Sequence, residues 1–348
     1  MSLFSTRSYT LTITSVRTTL RVVLIFCSKV EARELAFHSL CAGMARAHVP
    51  CMLRECVETL AAAPGFASGN WIVDATFGAG GHTGALLEAG ARVLALDRDP
   101  STRVHAEPLT ARFGAERFRF CAETTWAEMG AAASDVPVAG VLIDAGVSSM
   151  QLDSARGFSF RTHLDGPLSM RMDSAEASEE RLTAETIVNE WSEAALARLL
   201  RVLGEERLSR RVAAAICDAR RHAPISSSRQ LADLVAEAFP ARERRQQAAK
   251  RRHPATKTFM ALRLYVNQEL DQMDRGLAAA ADLLVPDGRL AVLTYHSLED
   301  RIVKRFIRSD ERMCIPKGIS RRARRPAEDE LAENARASSA RLRVAVRT

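Results

Sequence analysis

The sequence predicts an α/β fold built on a mostly parallel sheet, and three observations support this class. Short apolar runs alternate with helical patterns between residues 70 and 153, which is typical of βαβ units. Three of these runs end in an aspartate, namely Asp74, Asp97 and Asp144. The first is followed directly by closely spaced glycines, an arrangement that leads from a strand into a helix beside a bound nucleotide. Because parallel strands share one carboxyl edge, we expect the three carboxylates to face one crevice.

The remaining elements follow from the pattern in chain order. Residues 155–256 carry apolar residues at helical spacing, with a capping box at Ser227 and Gln230. A long helix is predicted over 259–284 and a turn over 286–288. The predicted strands are Trp71–Asp74, Arg92–Asp97, Phe118–Cys121, Gly140–Asp144, Arg289–Tyr295 and a final edge strand, Leu342–Val346.

Three parts follow from this order. Residues 44–154 and 257–348 form the predicted α/β domain, and residues 155–256 form an all-helical domain inserted into it. Residues 1–43 are rich in Ser, Thr and Arg and contain no acid among the first 30, as in a mitochondrial transit peptide. The alternative, which we favour, is that the coding region has been assigned too far upstream and that translation starts at Met44. A cytoplasmic location is then expected, with the mitochondrion as the alternative.

Composition excludes some classes of protein. No apolar run reaches the ~20 residues that cross a membrane. The seven cysteines include no C-x-x-C pair, so neither a zinc site nor a disulfide framework is expected, and no metal is predicted. The net charge is +7, and basic residues cluster over 242–257 and 301–325. Such clusters favour a nucleic-acid partner, although a merely solvated basic face is the alternative.

The glycine spacing narrows the choice of cofactor. A dinucleotide-binding loop needs G-x-G-x-x-G, but Gly78-x-Gly80-x-x is followed by Thr83. Enzymes that use S-adenosylmethionine (SAM) usually carry acid-x-G-x-G-x-G, and the segment that begins at Asp74 fits this pattern with one substitution. Asp97, at the end of the next strand, would bind the ribose diol. SAM is therefore the predicted cofactor, with a glycine turn in some other α/β enzyme as the alternative.

Several longer motifs stand in a fixed order along the chain. They are Asp74–His82, Asp144–Asp153, Gly157–Phe160, Asp165–Asp173, Gly204–Arg207, His253–Thr258 and Tyr295–Arg301. With these motifs the chain, from about Ala47 to its C-terminus, resembles the 16S rRNA (cytosine-N4)-methyltransferases, the RsmH or MraW family. The resemblance implies a Rossmann-like SAM-binding domain with an inserted helical substrate domain, and a substrate cytidine in the ribosomal decoding centre. Departures from the family motifs are Ala145 for leucine, Met150 for proline, Ser169 for aspartate and Tyr295 for phenylalanine.

The cofactor residues combine the loop pattern with the resemblance. The loop pattern contributes Asp74 and Gly78. The resemblance also implies an aromatic side chain beside the adenine, for which Trp126 is the candidate, unless the alignment slips by one residue to Thr125. The other SAM contacts that it implies are Gly80, Gly81, His82, Asp97, Asp144 and Gln151.

The chemistry of the implied reaction selects the candidate catalytic residues. An exocyclic cytosine amine is a poor nucleophile, so it must be held in line with the methyl group at near-attack distance. Asp144 either accepts a hydrogen bond from this amine or anchors the methionine end of SAM, and we favour the anchor. Ser148 lies in the loop that follows. His296 would close over the base, unless it belongs to a structural loop network.

The resemblance and the basic clusters imply RNA as the partner. Residues expected to contact its phosphates are Arg251, Arg252, His253, Lys257, Arg263 and Arg301. The predicted function is SAM-dependent N4-methylation of small-subunit rRNA, with the small ribosomal subunit as partner. The alternatives are a non-catalytic subunit-assembly factor, a methyltransferase acting on another nucleic acid and, least favoured, a dinucleotide oxidoreductase. The sequence leaves the oligomeric state open, with a homodimer among the alternatives.

Overall fold

The computed structural model describes residues 50–160, 165–173, 181–249 and 252–348. The predicted N-terminal extension, 1–43, and the candidate start Met44 lie outside the described residues. Residues 49–348 form one compact unit. Within the described ranges, no helix is both long enough and apolar enough to cross a membrane.

A seven-stranded sheet forms the centre of the molecule, in the order β3-β2-β1-β4-β5-β7-β6. The first five strands are parallel, and β7 is antiparallel to both of its neighbours. The chain leaves β1 toward β2 on one side and β4 lies on the other, so the crevice at this switch point is the place where open α/β sheets bind ligands. The strands are β1 (Trp71–Asp74), β2 (Arg92–Asp97), β3 (Phe118–Ala122), β4 (Val138–Asp144), β5 (Leu284–Thr294), β6 (Met313–Cys314) and β7 (Arg341–Arg347).

The helices fall into two groups. The first group holds α1 (Leu53–Ala61), which precedes β1, together with α2 (Gly81–Glu88), α3 (Arg103–Phe113), α4 (Met129–Ala132), α12 (Glu269–Leu283), α13 (Ser297–Ser309) and α14 (Glu328–Glu333), which lie between strands. Those between β4 and α12 are α5 (Ser149–Leu152), α6 (Ala184–Glu190), α7 (Glu193–Val202), α8 (Ser209–Arg220), α9 (Ser228–Ala238), α10 (Ala241–Ala249) and α11 (Thr256–Val266). The α/β class predicted from the sequence is therefore confirmed.

The helices between β4 and α12, apart from α10, share a hydrophobic core. The apolar stripe of α7 is buried there, as the helical spacing predicts, and Phe259 of α11 joins it. The predicted cap of α9 is present, since the Gln230 backbone N–H donates to Ser227 Oγ at 3.2 Å. The Gln230 side chain, however, accepts from the Ser226 N–H at 3.1 Å, so the reciprocal bond of the capping box is displaced by one residue. The boundaries 155 and 256 of an inserted domain stay a prediction.

The single helix predicted over 259–284 is wrong, because α11 and α12 are separated by a sharp break. Gln268 adopts a left-handed backbone conformation with φ of 51°, which an α-helix cannot contain. The buried side chain of Asn267 accepts from the Met172 N–H at 2.9 Å and donates to the Met170 carbonyl at 2.7 Å. The break therefore fastens the segment around Met170 to the α/β domain.

Two predictions about the end of the sheet need correction. The predicted turn over 286–288 lies inside β5, where the register moves from Leu284 opposite Val138 to Arg289 opposite Gly140. The extra residues form an irregular bulge in which Asp287 has a φ of 61°. The last strand is not an edge strand, because β6 pairs with its outer side. A two-residue strand such as β6 has too little periodicity to be read from the sequence.

Candidate active site at the carboxyl edge of the sheet

Three carboxylates meet at the switch point, as the sequence predicts. Asp74, Asp97 and Asp144 end β1, β2 and β4. Burial raises the pKa of Asp97 and of Asp144 to about 6, and the Asp74 charge adds to the rise at both. Burial also raises the pKa of Asp74, against the hydrogen bond that its carboxylate accepts from Thr83 Oγ1 at 2.7 Å. The crevice thus concentrates negative charge and suits a cationic ligand.

The glycine loop is shaped by contacts that exclude side chains. Gly80 precedes α2 with φ of 78°, and a Cβ on it would lie 2.9 Å from the Phe77 ring. A Cβ on Gly81 would collide with Pro50. Gly78 has φ of 54°, and the nearest atom to a Cβ on it would be the Cβ of Ser148. The glycine loop therefore faces the loop that follows β4, across the crevice.

Asp97 ties two of these loops together. Its Oδ2 accepts from the Gly78 N–H at 2.7 Å, and its Oδ1 accepts from the Asp99 N–H at 2.8 Å. Each oxygen keeps a second lone pair for a ligand hydroxyl. The predicted ribose-binding residue thus also fixes the conformation of the glycine loop.

Asp144 is held by hydrogen bonds on two sides. The Tyr295 hydroxyl donates to its Oδ1 at 2.7 Å, and its own N–H donates to Thr76 Oγ1 at 2.7 Å. The other carboxylate oxygen, Oδ2, lies 3.8 Å from Nδ1 of His82. Nε2 of His82 lies 3.1 Å from the Cys51 carbonyl. His82 is thus buried between Cys51 and the crevice. This position suits the predicted contact with the cofactor better than a role in proton transfer.

Ser148 and Gln151 brace the loop after β4. The Ser148 N–H donates to Gln151 Oε1 at 3.0 Å, and the Gln151 N–H donates to Ser148 Oγ at 3.2 Å. The Gln151 side chain also donates to Asp99 Oδ2 at 3.0 Å, where Arg156 forms an ion pair at 2.5 Å. Burial would raise the pKa of Asp99, but Arg156 and the other donors lower it below its usual value.

Asp99 and Arg156 belong to the hydrogen-bond network of the site, and the sequence analysis missed both. They join the cofactor edge to the segment that leads into the helices, across 57 positions of the chain. Asp99 stands two residues after the predicted ribose-binding acid, which is the only local signal. Arg156 has none, because a pairing between distant positions leaves no periodic pattern.

His296 lies in a network of contacts at the start of α13. It caps this helix, with Nδ1 accepting from the Glu299 N–H at 3.4 Å and Nε2 3.0 Å from Glu299 Oε1. Glu299 in turn accepts from the backbone N–H groups of Tyr295 and His296 at 2.9 and 3.3 Å. Burial would raise the pKa of Glu299, but the contacts of His296 lower it. The loop network that the sequence analysis gives as the alternative is therefore present, and a catalytic role of His296 stays a prediction.

The segment after β3 borders a cleft of about 660 Å³. Trp126 packs with its Cβ against Gly276 of α12, whereas Thr125 lines the cleft together with Arg98 and Gln272. Within the described residues, Nε of Arg98 and Oε1 of Gln272 are buried without a hydrogen-bond partner. The choice between Trp126 and Thr125 beside the adenine stays a prediction.

Two of the predicted RNA contacts are engaged within the protein. Arg263 forms a bidentate ion pair with Glu269, at 2.8 and 3.0 Å, and only 15% of its side chain is exposed. His253 stacks on Phe160 with ring centroids 4.6 Å apart and accepts from the Ala255 N–H at 3.2 Å. Burial lowers the pKa of His253. These internal contacts account for both side chains, and their contact with RNA stays a prediction.

The other predicted RNA contacts remain open. Lys257 and Arg301 meet at Glu205, with Nζ of Lys257 2.7 Å from the Glu205 carbonyl and Nη2 of Arg301 3.1 Å from its carboxylate. Arg252 is exposed, and Arg251 lies outside the described residues. Contact of these four residues with RNA stays a prediction.

The fold and the site together define a SAM-dependent methyltransferase. The glycine loop and the acidic crevice suit a nucleoside cofactor that carries a positive sulfonium and an ammonium group, and ribose binding by Asp97 stays a prediction. The chain belongs to the MraW methylase family, which matches residues 45–348, and its cofactor is SAM.

Similar proteins carry consistent names. The chain is 46% identical over 323 residues to the ribosomal RNA small subunit methyltransferase H of Cereibacter sphaeroides, covering 87% of this chain and 91% of that protein. It is 45% identical to the protein of the same name from Nitrobacter winogradskyi, covering 86% and 91%. Among solved structures, an rRNA methylase from Streptococcus thermophilus aligns with a TM-score of 0.39 at 12% identity, covering 86% of this chain and 99% of that one.

Proposed function

We propose that this enzyme methylates N4 of a cytidine in the decoding centre of small-subunit rRNA, with the small ribosomal subunit as its partner. The observation that carries the proposal is Asp144 at the switch point, with one carboxylate oxygen held by Tyr295 and the other directed into the crevice. The names of the similar methyltransferases support the rRNA substrate. A cytoplasmic location belongs to the same proposal.

The residues of the crevice suit this reaction. Bound SAM supplies the electrophilic methyl group. The target amine must leave the base stack and approach in line, because its lone pair is delocalised into the ring. An acceptor beside the amine favours the pyramidal geometry that develops as the bond forms, and Asp144 Oδ2 is such an acceptor. The same oxygen would otherwise hold the ammonium group of SAM, the role that we favour. Ser148 positions this loop through its bond to Gln151.

The helices between β4 and α12 are the proposed RNA-recognition part, with 155–256 as its extent. Helix α10 is distinctive there because none of its side chains is buried. A nine-residue helix without packing is marginal in water, so an external contact would stabilise it. Arg242, Arg244 and Arg245 are exposed on it, and arginines of this kind bind phosphates. We propose that α10 lies against the rRNA backbone.

Replacing Arg244 and Arg245 together with glutamine is expected to raise the KM for small ribosomal subunits about tenfold, because two phosphate contacts are lost. The affinity for SAM should stay within about twofold of the wild-type value, since no residue of α10 takes part in the described contacts of the crevice. Methyl transfer at several salt concentrations measures the effect, and the slope against salt should flatten. The matched control replaces Arg92 and Arg112, two exposed arginines of the α/β domain, with glutamine in the same way. An unchanged KM in the α10 variant would contradict the proposed contact.

A single experiment distinguishes the proposed methyltransferase from the alternative, a non-catalytic assembly factor. Labelled SAM is incubated with unmodified small subunits, naked 16S-type rRNA, large subunits or DNA. We expect label in the small subunit and little in the other three acceptors. Label in DNA or large subunits would favour another nucleic-acid substrate, and binding of SAM without label in any acceptor would favour the assembly factor.

A further inference from the structure

The side chain at position 295 differs in one atom from the family motif, and that atom makes a bond. The hydroxyl of Tyr295 donates to Asp144 Oδ1 at 2.7 Å, a bond that the usual phenylalanine cannot make. Burial raises the pKa of Tyr295, so the hydroxyl keeps its hydrogen. The Cys51 thiol is a second hydrogen-bond partner of the same hydroxyl, and burial raises its pKa to about 11.

The geometry on the other side of Asp144 shows what this bond leaves open. Nε2 of His82 lies 3.1 Å from the Cys51 carbonyl, which can only accept a hydrogen bond, so this nitrogen is the donor. Nδ1 of His82 lies 3.8 Å from Oδ2 of Asp144, which is beyond hydrogen-bond distance. Among the described residues Oδ2 therefore accepts no hydrogen bond, and this buried oxygen is left for an N–H donor of a ligand.

We propose that the Tyr295 hydroxyl is a positioning group, which engages Oδ1 of Asp144 and thereby presents Oδ2 to an N–H donor. This inference rests on the proposed function, in which two groups carry such a donor: the ammonium group of SAM and the exocyclic amine of the target cytidine. Without the hydroxyl, Oδ1 would lose its donor in a buried place, and the carboxylate would be free to rotate.

The charged and titratable groups around Asp144 set the expected pH dependence. The Tyr295 bond stabilises the ionised carboxylate, and removing it raises the pKa of Asp144 further above its usual value. No other bond to Oδ1 is present in the described residues to replace it. The groups that face Asp144 are Asp74 on β1, His82 on α2, Glu299 on α13, and Cys51 and Cys56 at the start of α1.

The test replaces Tyr295 with phenylalanine, which keeps the ring and removes only the hydroxyl. The pKa of Asp144 is followed by carbon NMR of the labelled carboxyl group, without any acceptor, and is expected to rise by roughly one unit. The acid limb of the pH–rate profile for methyl transfer should move to higher pH by the same amount, and the rate at alkaline pH should fall severalfold, because the ionised carboxylate is no longer held in place. The matched control is Tyr265→Phe, for which the acid limb should stay in place.

The two donors are distinguished by a second readout. If Oδ2 holds the ammonium group of the cofactor, the pH dependence of the affinity for S-adenosylhomocysteine shifts together with the pKa of Asp144. If Oδ2 receives the target amine, the pH dependence of kcat at saturating SAM shifts instead. An unchanged pKa of Asp144 in the folded variant overturns the proposal. A lower melting temperature without a shift overturns it too, since that is what a purely structural role gives. The NMR titration needs no substrate, so it stands even if N4-methylation fails.

Discussion

The Asp97→Ala variant is expected to bind SAM about 100-fold to 1,000-fold more weakly than the wild-type protein. The substitution removes the acceptors for the Gly78 and Asp99 N–H groups, and hydrogen bonds to a charged acceptor contribute roughly 1.5–3 kcal/mol each. It also removes the proposed contact to the ribose. The loss of about 3–4 kcal/mol in binding corresponds to the stated factor. Calorimetric titration with SAM measures it.

The control for this variant is Asp135→Ala. Asp135 is an exposed aspartate of the same domain, paired with Arg119 at 2.7 Å on the surface. Its removal should leave the affinity for SAM within about twofold, because surface ion pairs contribute little. If Asp97→Ala bound SAM as tightly as this control, the assignment of Asp97 to the cofactor site would be wrong.

The Asp144→Asn variant is expected to lose methyl transfer by about 100-fold to 1,000-fold, because it removes the charge that would hold the ammonium group of SAM, the role we favour, or assist the target amine. In the wild-type protein the rate should fall as the pH drops through about 6, where burial places the pKa of Asp144. The amide keeps an oxygen for the Tyr295 hydroxyl but places an N–H group opposite His82 Nδ1. The charge is therefore removed while the shape of the site is retained.

The same variant should be more stable than the wild-type protein at neutral pH. The folded-state pKa of Asp144 lies above its ordinary value of 3.8, so its contribution to stability is present below that pH and is lost as the pH rises through about 6. Asparagine has no such loss, and the gap in melting temperature should widen over this range. A variant that loses activity and also melts lower at neutral pH would contradict the buried, charged position of Asp144.

Patterns confined to one stretch of chain predict this site well. The strand, the acid at its end and the glycine loop lie within residues 71–82, and the parallel sheet brings three such strand ends together. The sequence therefore places Asp74, Asp97 and Asp144 in one crevice without knowledge of side-chain contacts. The assignment of the main segments as helices or strands follows from the same kind of local signal, the periodicity of their apolar residues.

The partners of individual side chains are what the sequence analysis fails to predict. Arg263 looks like a free cation next to a basic cluster, but a bidentate partner six residues later, Glu269, occupies it. The break at Gln268 is set by the bonds of Asn267 to a segment almost 100 positions earlier, so helical periodicity alone continues through it.

The identity of the methylated nucleoside tests the central claim most directly. Small subunits that have been methylated with labelled SAM are digested to nucleosides and separated by mass spectrometry, with the Asp97→Ala variant as the negative control. N4-methylcytidine as the labelled product, absent from the control, is the result expected here. A label on cytosine C5, on a ribose 2′-hydroxyl or on another base would contradict it, even if the small subunit proves to be the substrate.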